Sequence, residues 1–135
     1  MKTNLARSIL CLLSILLLTG LAIASAAEIM PYADTEFNST STVLKSTKKV
    51  SFGCVTYDTK ECLSVTSCYL EIKNDDGSWS YVCSLPAPTT KYYDAYAYSA
   101  TVDYSSYIGS GTYRVWATYD ADGHSITRCS NERTY

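Results

Sequence analysis

Hydrolytic chemistry in this chain would have to pass through His124, its only histidine. A serine hydrolase needs a serine beside a base. No G-x-S-x-G elbow occurs here, and His124 directly follows the turn residues Asp122 and Gly123, so it reads as an exposed turn residue. A glycosidase needs two carboxylates facing each other across a cleft. The acids cluster instead at turns, as Asp75, Asp76, Asp120 and Asp122, where aspartate bonds its own backbone. The run DADG at 120–123 matches only the first positions of a calcium loop, and Glu132 stands at the wrong distance to complete one. The residue types therefore point away from an enzyme, and no metal or cofactor is expected.

Cysteine is the other reactive residue. Cys54, Cys62, Cys68, Cys83 and Cys129 follow the first apolar run, with no C-x-x-C pair among them. Zinc spacing is absent, and five cysteines in a small exported chain suggest disulfides. Cys68–Cys83 is the expected bridge, Cys54–Cys129 a weaker one, and Cys62 is then the free or intermolecular thiol.

Export is read from the beginning of the chain. Lys2 and Arg7 precede an apolar run from Ile9 to Ile23, and Ala24-Ser25-Ala26 is a small-x-small site. This is the pattern of a secretory signal peptide over residues 1–26, the alternative being an uncleaved anchor. Residues 27–38 read as a flexible lead-in, and 39–135 as one domain. Of eleven Lys/Arg, Lys2 and Arg7 fall in the leader, leaving nine against thirteen Asp/Glu. With no basic run, nucleic acid is a poor partner, and no second apolar run holds the mature chain in a membrane.

The domain reads as strands, because period-two alternation dominates. Val50, Phe52 and Cys54 share one face. Asn74-Asp75-Asp76-Gly77 is turn chemistry between two β-rich runs. A turn centred between Asp75 and Asp76 puts Ile72 opposite Trp79, Leu70 opposite Tyr81 and Cys68 opposite Cys83, all facing inward. The run from Lys91 to Tyr107 carries six tyrosines in seventeen positions. There Tyr92, Asp94, Tyr96, Tyr98, Ala100, Val102 and Tyr104 share the expected inward parity. A second hairpin turns at Asp122-Gly123. About seven short strands fit an all-β antiparallel sandwich.

The stretch Ile108–Gly123, IGSGTYRVWATYDADG, resembles the sixth strand of an immunoglobulin-like sandwich. The resemblance gives Tyr113, two residues after Gly111, the role of a tyrosine corner, a buried tyrosine whose hydroxyl bonds back to nearby backbone. Val115 stands where antibody domains carry their second cysteine. The hairpin from Tyr69 to Trp79, the Tyr/Ser-rich strand from Tyr92 to Tyr104 and the run Gly111–Ala117 together resemble uncharacterised small secreted proteins of Gram-positive bacteria. That resemblance implies an immunoglobulin-like fold and implies no activity.

The expected function is a secreted or cell-surface, non-catalytic module. It would bind an extracellular glycan or protein through exposed aromatics, with Trp116 and Tyr93 as the candidate contacts. The alternative is a disulfide-stabilised secreted toxin, bacteriocin-like protein or inhibitor.

Overall fold

The computed structural model describes residues 34–135. The expected signal peptide and most of the lead-in lie outside the described residues. The described chain is all-β: β1 (Phe37–Leu44), β2 (Lys49–Lys73), β3 (Trp79–Leu85), β4 (Tyr92–Asp103), β5 (Thr112–Ala121), β6 (His124–Cys129) and β7 (Arg133–Thr134). All pairings are antiparallel, and they join the seven strands into one sheet.

The strand that organises the rest is β2. Alternation in the sequence suggests two strands here, with Cys62 in a loop between them. The chain instead runs through as one bent strand of 25 residues. Its pairing with β4 jumps from Val55↔Ala97 to Lys60↔Ala95. Residues 56–59 thus bulge opposite the single residue Tyr96, and the buried Thr56 hydroxyl ties the bulge by reaching the Asp58 carbonyl at 2.7 Å. A second bulge, at Thr66, interrupts the pairing with β5. Bulges bend a strand and strengthen its twist.

The bend decides the layout. Val50 to Val55 pair with β1 on one edge and β4 on the other. Leu63 pairs with Tyr92 of β4 and with Ala121 of β5. It follows that β1 and β5 lie in succession along one edge of β2, with β4 and β3 along the other. The sheet curls so that the inner faces of its two halves share one core. Val50, Phe52, Cys54, Tyr98 and Tyr104 come from the first half. Leu63, Val65, Cys68, Leu70, Leu85, Val115, Ala117 and Tyr119 come from the second. The tie across the curl is Tyr119, whose hydroxyl donates to the Ser41 carbonyl at 2.7 Å and lies 2.8 Å from the Thr42 hydroxyl.

Several expectations need correction. The β2–β3 turn is centred on Asp76, closed by Asn74 N–H to Ser78 O at 2.8 Å and Gly77 N–H to Asn74 O at 2.9 Å. Gly77 has φ +84°, the left-handed conformation that closes a three-residue hairpin loop. Lys73 now faces Trp79, and Glu71 faces Tyr81. After an extra residue, Val82, Leu70 faces Cys83 and Cys68 faces Leu85. A one-residue slip reverses which face a side chain takes, so Trp79 and Tyr81 point outward rather than into the core. Cys68 and Cys83 are not opposed, and no disulfide joins them. Cys54 is buried between Thr40 and Tyr98, whereas Cys129 lies opposite Trp116 on the outer face of the sheet. The Cys54–Cys129 pairing fails because the two side chains leave opposite faces. All five cysteines of the described chain, Cys62 included, are free thiols.

The tyrosine-rich strand is inward only in part. Tyr98, Ala100, Val102 and Tyr104 face the core, while Tyr92, Tyr93 and Tyr96 are exposed. The alternation breaks at Tyr96, which stands alone opposite residues 56–59 where the register on β2 jumps. The first strand also begins earlier than expected. Phe37, assigned to the lead-in, starts β1 and is only 4% exposed. Tyr113 is buried, and its hydroxyl donates to the Ser110 carbonyl at 3.3 Å.

Tyr119→Phe tests the tie across the curl. Removing the hydroxyl leaves the buried Thr42 hydroxyl and the Ser41 carbonyl without this partner, at an expected cost of about 1–2 kcal/mol. Chemical denaturation of the two proteins measures it. Equal midpoints would mean that the ring alone makes the joint.

Candidate binding face

Alternation puts one set of side chains on the outer face of β3, β2, β5 and β6. The register groups them into rows. Ser84, Tyr69, Trp116 and Cys129 form one row, Tyr81, Glu71 and Arg114 the next, and Trp79 and Lys73 a third. Side chains directly opposed on neighbouring strands are close enough to touch, and Tyr69–Trp116, Glu71–Arg114 and Lys73–Trp79 do. Tyr69 stacks on Trp116, with centroids 6.0 Å apart and ring planes 14° apart. Tyr81 leans on the other side of Tyr69 at 6.1 Å. The Arg114 guanidinium lies 4.1 Å from the Trp79 centroid and 5.3 Å from that of Trp116. Lys73 approaches the other side of the group, 5.5 Å from the Trp79 centroid, and pairs with Glu132 at 2.9 Å.

One carboxylate oxygen orders the cluster. Glu71 Oε2 accepts from Arg114 Nε at 2.6 Å and from Trp116 Nε1 at 2.8 Å. Charge-assisted bonds of this kind are short and strong. They fix the indole and the guanidinium relative to each other, so the aromatic row is set before any ligand arrives. Burial, and then the Glu71 charge, raise the Tyr69 phenol above its ordinary value. Glu71 and Glu132 balance Arg114 and Lys73, so the face is locally neutral. It offers ring edges and faces, an exposed Tyr81 hydroxyl shared with Ser84 at 3.0 Å, and aliphatic stems.

Trp116 belongs to this face, and Tyr93 does not. Tyr93 is 66% exposed and pairs with Cys62 on the opposite edge of β2. From Cys62 to Tyr69, the partner of Trp116, β2 runs for on the order of 20 Å at the ordinary rise of a strand. Sequence reasoning missed Trp79, Tyr81 and the ordering pair Glu71–Arg114. One signal was available: Asn74 at the first position of the turn with Gly77 at the fourth is the signature of a type I turn followed by a left-handed glycine. That turn sets the observed register.

Several titratable side chains elsewhere have structural roles. Burial pushes the Cys54 and Cys68 thiols up to about 11, which leaves them protonated and unreactive at neutral pH. The Asp122 carboxylate accepts the N–H groups of Glu61 and Cys62, and Asp120 accepts the Gly123 N–H and the Ser125 hydroxyl. His124 Nε2 lies 3.1 Å from both oxygens of Asp34, and its ring is 6.0 Å from Phe37. The histidine thus fastens the segment before β1 to the β5–β6 hairpin. Comparison with protein-family models, with curated proteins and with solved structures finds no match for this chain.

The Asp34 clamp has a pH signature. Burial works to raise its carboxyl, but the Phe37 N–H, His124 and the Glu36 N–H together hold it down at about 2, from 3.8. The folded value lies below the unfolded one. The stabilisation is therefore complete above pH 3.8 and lost as pH falls toward 2. Amide NMR of Glu36 and Phe37 should show a transition centred near pH 2. A midpoint at 3.8 would mean the clamp is not formed.

Proposed function

We propose that this protein is an exported, non-catalytic immunoglobulin-like β-sandwich module that recognises an extracellular glycan through the outer face of β3, β2 and β5. The observation that carries the reading is the pre-ordered row Tyr81–Tyr69–Trp116 with Arg114 held between Trp79 and Trp116. Aromatic side chains with polar tips combine large contact area with little conformational freedom to lose. A locally neutral face with an accessible phenol suits sugars, whose apolar ring faces stack while their hydroxyls take the polar edges. Export is supported by the leader-like pattern of residues 1–26. The immunoglobulin-like reading is supported by the antiparallel sheet curled over a single core and by the Tyr113–Ser110 bond.

The test is a binding screen against peptidoglycan, cell-wall polysaccharide and a glycan array. Tyr81→Ala removes a ring that is 63% exposed and should leave the fold intact. It and Trp116→Ala are each expected to weaken binding by about tenfold or more, which is about 1.4 kcal/mol. Tyr93→Ala, off the face, should change nothing. No saturable binding by the parent protein, or a loss confined to Tyr93→Ala, would overturn the reading. Binding to a protein on the cell surface with no glycan signal would move the ligand class from sugar to protein.

A further inference from the structure

A second surface lies along β4, away from the aromatic row. One edge of β4 is taken by β2, from Lys49 to Leu63. Among the described residues its other edge pairs with no strand, and no loop backbone bonds to it. A free edge is a template for another strand, and proteins usually guard it with charge, proline, a bulge or a covering segment.

The other edges are guarded in these ways. β1 meets β5 and its neighbours, through the Tyr119 hydroxyl on Ser41 and the Asn131 side chain on the Leu44 N–H. The seven-residue β3 is interrupted at Val82. Two charged or ionisable residues, His124 and Arg128, lie on β6. β4 differs in its middle, because its two charges, Asp94 and Asp103, stand on either side of it. It is twelve residues long, and from Ala95 to Val102 its sequence, AYAYSATV, has no charge, no proline and no glycine. Its register on β2 is unbroken from Ala97 to Asp103. An uncharged run of strand-favouring residues with these features is the pattern that pairs with copies of itself.

We propose that the free edge of β4 is a self-association surface, pairing antiparallel with the same edge of a second copy around Ser99. The segment is complementary to itself. With Ser99 opposite Ser99, Ala97 faces Thr101 and Tyr96 faces Val102. Asp103 falls opposite Ala95, and Asp94 opposite Tyr104, so no like charges meet. Ala97, Ser99 and Thr101 are small and exposed, which lets two backbones approach. Main-chain hydrogen bonds supply the attraction, as in other cases of strand addition, and a two-fold axis closes the assembly at a dimer. The aromatic face on β3, β2 and β5 remains free in such a dimer.

Sedimentation of the secreted chain across a micromolar-to-millimolar series tests this, with a reductant present so that thiol bridges do not count. The expected result is a monomer–dimer equilibrium. Amide exchange of Tyr96–Val102 should slow as concentration rises. Ser99→Lys places two ammonium groups opposite each other at an exposed position and should weaken the dimer by about tenfold or more, with circular dichroism and melting unchanged. Thr101→Lys, one exposed position along on the same face, should act in the same direction. A parent chain that stays monomeric throughout would overturn the proposal, leaving the edge to a foreign strand or to the chain's own first residues. A dimer that survives Ser99→Lys would overturn it as well, by placing the interface elsewhere.

Discussion

Everything in this fold follows from the bend in β2. A straight strand of that length would carry its neighbours along a flat ribbon, and neither face would meet another. The four residues at 56–59, set against the single Tyr96, let the strand turn without ending. The half that carries Val50, Phe52 and Cys54 can then face the half that carries Leu63, Val65, Cys68 and Leu70. One continuous backbone thus supplies both walls of the core. The price is a bulge whose polar groups need partners, and the Thr56 hydroxyl meets part of that need from a buried position.

The outer face of the second half depends on the same strand. Tyr69, Glu71 and Lys73 alternate with Cys68, Leu70 and Ile72, so whatever fixes the inner face fixes the outer one. Glu71 sits between Tyr81 of β3 and Arg114 of β5 in register. A carboxylate in the middle of three strands could stand uncompensated on a half-buried surface. Here it is satisfied by an indole N–H and a guanidinium N–H on one oxygen, and the cost of holding it becomes the means of ordering the rings. That links the packing of the sheet to what its surface can recognise.

The class of fold was legible because alternation is local. Val50, Phe52 and Cys54 share a face in any strand that contains them, and the Asp122-Gly123 turn gives the observed pairing of Ala121 with His124. Register was not legible from alternation alone. Placing the turn of the β2–β3 hairpin half a residue early turned Trp79 and Tyr81 inward and paired Cys68 with Cys83. The outer aromatic row was hidden with it, whereas the outward face of Trp116 was legible, because β5 alternates without interruption. The parity of the tyrosine run failed for a different reason. The register jump that leaves Tyr96 alone opposite residues 56–59 of β2 leaves no mark in a pattern of large and small residues. The continuity of β2 was hidden too, since Thr56–Lys60 reads as polar loop until β4 and the bulge are placed against it.

Composition also has a physical answer. Among the described residues, tyrosines build several of the joints. Tyr98 donates to the Thr90 carbonyl, Tyr104 to Pro86, Tyr113 to Ser110, Tyr119 to Ser41 and Tyr135 to Lys45. Four of those carbonyls, at Lys45, Pro86, Thr90 and Ser110, belong to connections between strands, where no ladder partner exists. A phenol buries a large ring in the core and still delivers a donor to such a carbonyl. Burial holds the Tyr98 and Tyr119 phenols up at about 12 and raises that of Tyr104 as well, so these hydroxyls keep the protons they donate. The same residue type, turned outward, gives Tyr81 and Tyr93 their accessible rings. Whether a tyrosine here is a joint or a contact is decided by register, which is why the bend and the turns, more than the residue types, determine where this protein can meet a partner.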